Sequence, residues 1–140
     1  MGLLYVLDGQ TGFVRRFFPM QFHQIEAQVC VSDVRGGPAL EIVVADMGGN
    51  LVLVSAEGEV LWDAHLSGSL PHTPVVGDVN GDGQLDIVVV AVGAGGAHCH
   101  LYALDGNTGK PLRGYPLALP AGGMISSSAI LVDLHDYSVK

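Results

Sequence analysis

The chemistry of this chain is concentrated in nine residues. Asp78-Val79-Asn80-Gly81-Asp82-Gly83-Gln84-Leu85-Asp86 follows the spacing D-x-[DN]-x-D-G-x-x-D. Carboxylates held about 4 Å apart repel by roughly 4 kcal/mol per pair at a surface dielectric, so something must offset the crowding. The spacing points to a divalent cation. Side-chain oxygens at positions 1, 3 and 5 curl around one centre, and Gly83 at position 6 permits the sharp bend. The carbonyl of Gln84 at position 7 turns inward, and Asp86 at position 9 closes the cage. Hard oxygen donors in an irregular cage suit calcium, whereas magnesium demands a strict octahedron and keeps its waters. The expected ligands are therefore Asp78, Asn80, Asp82, Gln84 (by its carbonyl) and Asp86, with Ca2+ as the cofactor. A strand-like run follows at once, so the closing carboxylate comes three positions earlier than in helix-flanked calcium loops. The competing account is a polar turn in which Asp78 and Asn80 cap backbone donors. That account leaves Asp82 and Asp86 unexplained.

Other candidate groups carry less. His98 and His100 would share one strand face with Cys99 on the other, but no third metal ligand stands nearby in sequence. The glycines at 93–96 follow a strand without a helix after them, so a phosphate cradle lacks its helix N-terminus. Serines 126–128 have no nucleophile-elbow context, and no acid/base pair is readable. No catalytic residue is expected, and the chain reads as a non-enzyme.

The elements that must position the loop come from an internal repeat. A shift of 45 residues lays "SDVRGGPALEIVVA" (32–45) on "GDVNGDGQLDIVVV" (77–90), and a shift of 97 lays "LLYVLDGQTG" (3–12) on "HLYALDGNTG" (100–109). The clearest unit has four strand-like runs, at 72–79, 85–92, 99–106 and 110–117. The preceding unit gives 25–34, 40–46, 50–56 and 60–66. The second run of each is apolar almost throughout, as in a strand covered on both faces. Asp-Gly-Asn-Thr-Gly after the third is a hairpin turn. Four antiparallel strands repeating every 40 to 50 residues predict an all-β fold of β-propeller blades. The expected organisation is one partial propeller domain over 1–140. Residues 1–24 end one blade with strands at 3–8 and 13–18, 25–69 form a blade, 70–121 form the blade with the calcium loop, and 122–140 begin another. Propellers usually need four to eight blades, so the chain is expected to be a fragment of a longer one, or to self-associate. In the copy at 33–41, Arg35 and Gly37 replace two ligands, so no metal is expected there. Arg35 is expected to pair with Asp33 or Glu41 instead.

Composition narrows the partners. Apolar residues make up 49% of the 140 and charged residues 14%, enough for a core. A net charge of −8 opposes nucleic acid and anionic membrane surfaces. No apolar run is long enough to span a bilayer, and the N-terminus lacks the basic region of a signal peptide. Cys30 and Cys99 are too few for a disulfide framework.

With the loop placed between two strands of a blade-length repeat, the chain resembles the FG-GAP repeats of integrin α-subunit propellers. There the same motif binds calcium between the first two strands of a blade. The segments "LLYVLDGQTGFVRRFFPMQFHQIEAQV", "PVVGDVNGDGQLDIVVV" and "LYALDGNTGKPLRGYPLALP" also resemble the plant family described as defective in exine formation, which combines a secretory signal, a calcium-binding propeller and a membrane anchor. The resemblance implies an extracytoplasmic module for adhesion, recognition or cell-wall assembly, with a protein or glycan ligand at its loops. A second likeness is to quinoprotein-type propellers: Ala103, Asp105, Thr108 and Gly109 fit their repeat, but no tryptophan follows. An enzyme of the quinoprotein or polysaccharide-lyase sort is the alternative.

Overall fold

The computed structural model describes residues 1–94 and 98–119, and among these there is no α-helix. Among the described residues, ten strands form three antiparallel sheets. β1 (Gly2–Leu4) and β2 (Met20–Phe22) pair as a two-stranded unit. β3 (Cys30–Ser32), β4 (Glu41–Ala45), β5 (Asn50–Ser55) and β6 (Val60–His65) lie side by side in that order. β7 (Val75–Gly77), β8 (Asp86–Ala91), β9 (His100–Asp105) and β10 (Leu117–Ala118) repeat the arrangement. Each four-stranded sheet is a simple meander, so every strand pairs with its neighbour in sequence.

Burial explains why β4 and β8 lack the usual alternation. Every residue of Glu41–Ala45 and of Asp86–Ala91 is buried, as befits central strands packed on both faces. In the middle sheet, Val43, Ala45, Leu51 and Leu53 join Ile87, Val89 and Leu104 in one core. Ile42, Val44, Val52 and Val54 face the other way, onto Leu4, Met20 and Phe22. The period-two alternation of side chains thus binds one sheet to a neighbour on each side. These units cannot be stable singly, because each buries its apolar face only against the next.

The sheets also interlock through aromatic side chains. Trp62 of β6 lies on the β9–β10 turn, where a Cβ on Gly109 would stand 2.5 Å from the indole Cε3. The indole Nε1 donates to the Gly106 carbonyl at 2.8 Å. One unit earlier, a Cβ on Gly58 in the β5–β6 turn would stand 2.6 Å from the Cβ of Phe17.

Several strand limits differ from the sequence expectation. The run at 13–18 keeps only the bridge Leu7↔Val14, and pairing resumes at Met20. The run at 110–117 likewise keeps only Leu104↔Pro111 before β10. In both, a tight turn intervenes: Phe18 N donates to the Arg15 carbonyl and Tyr115 N to that of Leu112. Phe17 (φ 71) and Gly114 (φ 90) take the left-handed conformation, and Pro19 and Pro116 supply no ladder donor. The first strands of the units are shorter than expected too, at Cys30–Ser32 and Val75–Gly77. The expected beginning of another blade at 122–140 lies outside the described residues.

Candidate metal centre

The D-x-N-x-D-G loop joins β7 to β8, the first and second strands of its sheet. Its bend is built by backbone amides turning onto side-chain oxygens. Asp78 Oδ1 accepts from Gly81 N at 2.8 Å and Asp82 N at 3.2 Å, and its Oδ2 accepts from Gly83 N at 2.8 Å. Asn80 Oδ1 accepts from Asp82 N at 3.2 Å, and Asp82 Oδ1 from Gln84 N at 2.9 Å. Gly81 (φ 76) and Gly83 (φ 86) hold left-handed conformations that a side chain would resist. These amide bonds pull the Asp78 carboxyl below the usual carboxylate range, with the Gly83 amide foremost.

Asp86 is different. It opens β8 and is fully buried, at 0% exposure. Its Oδ2 accepts from Val79 N at 3.0 Å, while its Oδ1 is buried without a hydrogen-bond partner. Burial pushes its pKa up, and the neighbouring charges of Asp82, Asp78 and Asp105 push the same way. An unpartnered buried carboxylate oxygen is costly. The turn's own hydrogen bonds account for Asp78 and Asn80, but they leave this atom unsatisfied.

Asp78, Asp82 and Asp86 each offer a ligand oxygen within 4.8 Å of the others. The three carboxylates therefore stand near enough to one another to share a metal ion. Asn80 and Gln84 lie in the same loop, with the Gln84 side-chain oxygen accepting from the Asn107 side-chain amide.

The sister loop at 33–41 keeps the frame and loses the donors. Asp33 Oδ1 accepts from Gly37 N at 3.0 Å, and Glu41 Oε1 accepts from Arg35 N at 3.0 Å. The bond between Arg35 and Glu41 thus runs through the Arg35 backbone amide, where the sequence had suggested its guanidinium. Between the two loops lies a cleft of about 370 Å³, flanked by Asp33, Arg35, Gln84 and Asn107.

Two features escaped the sequence reading. Asp46 at the β4–β5 turn is buried and satisfied: Oδ1 accepts from Gly48 N at 3.0 Å and Asn50 N at 2.9 Å, and Oδ2 from His23 N at 3.1 Å. The stretch Asp-Met-Gly-Gly-Asn was the available signal. Trp62 docks on a turn 44 residues away, a distance no local pattern reveals. Cys99 is buried and Cys30 half-buried, and neither forms a disulfide among the described residues. His100 Nδ1 is buried without a partner, and no His or Cys joins a metal-ligand cluster among the described residues.

No protein-family model matches the chain, and no curated protein matches it.

Proposed function

We propose that this chain is a calcium-binding β-propeller module of the FG-GAP type, serving extracytoplasmic adhesion, recognition or wall assembly. The observation that carries the calcium reading is the Asp86 Oδ1 atom, buried and unpartnered beside Asp78 and Asp82. A bound cation supplies the missing partner and neutralises three crowded carboxylates. Its role is structural: it ties the turn between the first two strands of the sheet. The meander order of both four-stranded sheets, with apolar faces packed on successive neighbours, supports the blade reading. Ligand recognition falls to loops at the end of the sheets that carries the cation turn, where the cleft beside Arg35 and Asn107 lies.

The test is thermal unfolding in a calcium series after chelation. With free calcium tenfold above the dissociation constant, the stabilisation is about 1.4 kcal/mol, a shift of roughly 5 °C for a chain of this size. Asp82→Ala and Asp86→Asn abolish that shift. A melting temperature indifferent to calcium in the unaltered chain would sink the proposal.

One observation favours a second reading. Trp62 comes from the neighbouring sheet to cover the Ala103-x-Asp105-x-x-Thr108-Gly109 turn, supplying the tryptophan that the quinoprotein-like pattern lacked in sequence. Quinone-dependent alcohol oxidation on reconstitution with pyrroloquinoline quinone would favour that reading, and its absence the first.

A further inference from the structure

The closing end of the cation loop is fastened to a turn of another hairpin. Gln84 and Leu85 lead directly into Asp86, and both are held by the β9–β10 turn. Gly106 N donates to the Leu85 carbonyl at 3.1 Å, and the Asn107 side-chain amide donates to the Gln84 side-chain oxygen. The approach is tight: a Cβ on Gly106 would collide with the Leu85 carbonyl and stand 2.6 Å from Val34 Cγ1. Asp105, the residue before Gly106, is the ladder partner of Asp86.

The same glycine also faces the neighbouring sheet. Its carbonyl accepts from Trp62 Nε1 at 2.8 Å, a buried bond spanning 44 residues. Gly106 thus stands between the loop of the third sheet and the indole of the second, with one backbone group committed to each. The counterpart hairpin, 97 residues earlier, shows that the turn itself needs neither contact. Gly12 N donates to the Asp8 carbonyl at 2.8 Å, as Gly109 N does to that of Asp105. Each aspartate Oδ1 accepts from the amides two and three residues on. Yet a Cβ on Gly9 or Gly12 would meet nothing within 4 Å. The turn folds alike in both places, so the bonds from Gly106 and Asn107 to the cation loop are additional to it.

We propose that Gly106 and Asn107 are positioning residues for the cation, and that Trp62 of the neighbouring sheet sets the affinity of the site through them. The bond at Leu85 fixes the peptide plane that precedes Asp86. The bond at Gln84 fixes the residue whose carbonyl is an expected ligand. Restraint on both sides of this peptide keeps carbonyl and carboxylate in place before the cation arrives, which lessens the ordering that binding must supply. Coupling of this kind is reciprocal: whatever Trp62 adds to cation binding, the cation adds to the junction between the sheets. The inference rests on the calcium reading of Asp78–Asp86 and adds what governs that site.

The test is calcium titration calorimetry on the chelated full chain, with the emission of Trp62, the single tryptophan, followed over the same concentrations. The expected result is one saturable site, with the emission moving along the binding isotherm. Asn107→Ala, an exposed change, binds about tenfold more weakly, while its metal-free melting temperature stays that of the unaltered chain. Trp62→Phe, which keeps a ring but removes the N–H donor, binds at least about fivefold more weakly. Gln10→Ala, the same position in the counterpart turn, leaves the affinity unchanged. Unaltered affinity in Asn107→Ala, an equal loss in Gln10→Ala, or an emission that stays still while calcium binds would overturn this inference and leave the calcium reading standing. No binding by the unaltered chain would overturn both.

Discussion

At the scale of single residues, Asp86 sets the behaviour of the loop. Without a cation it holds its proton more tightly folded than unfolded, because burial and its acidic neighbours raise its pKa. The metal-free chain therefore gains stability as pH falls through that raised value toward the ordinary range. Asp78 and Asp8 work oppositely. Backbone amides hold them below their ordinary value of 3.8, so their contribution is present above it and lost as pH falls through their lowered values. The chelated protein should thus show a maximum melting temperature on the acid side of neutrality, measured by calorimetry across pH; a steady fall from neutrality downward would contradict this. Asp86→Asn should raise metal-free stability while removing the response to calcium. Asp46 is the contrasting case, a buried carboxylate satisfied by its own turn and by the His23 amide. Asp46→Ala strands several amides and should cost about 2 kcal/mol in denaturant unfolding. The acidic cluster of Asp78, Asp82 and Asp86 was legible in sequence because its carboxylates lie within nine residues. The unpartnered state of one Asp86 oxygen was not, since it depends on which amides reach it in space.

At the scale of elements, the apolar runs predicted the central strands well. Both β4 and β8 fall within the expected limits because continuous burial leaves a continuous apolar signal. The outer strands were misplaced for a physical reason. Phe-Phe-Pro and Gly-Tyr-Pro sit inside runs that read as extended, yet a left-handed residue and a proline turn the chain there. The four-residue spacing between Gly58 and Trp62 carried no sign of what either touches. A paired substitution separates local from tertiary cost. Gly12→Ala bears only the left-handed penalty, about 1 kcal/mol. Gly109→Ala bears the same penalty and also drives a methyl into the Trp62 ring, so it should lose at least about 1–2 kcal/mol more by overpacking. Equal losses in chemical denaturation would show that the indole contact contributes nothing.

At the scale of the whole molecule, the sheets are held in series by alternate faces of the same strands. Truncating a residue between the second and third sheets should therefore destabilise both together. Leu53→Ala, fully buried in that core, should cost about 2–5 kcal/mol and should be seen as one cooperative transition by both Trp62 fluorescence and circular dichroism. Two separated transitions would mean that the sheets unfold independently. The aromatic docking adds a sense of direction to this series. Phe17 and Trp62 are given from one flank of a unit and received on the opposite flank of the next, so giver and receiver are never the same surface. Assembly by this contact is head-to-tail and cannot end at a two-fold pair. It closes into a ring only where the rotation per unit divides a full turn, and otherwise continues as an open spiral.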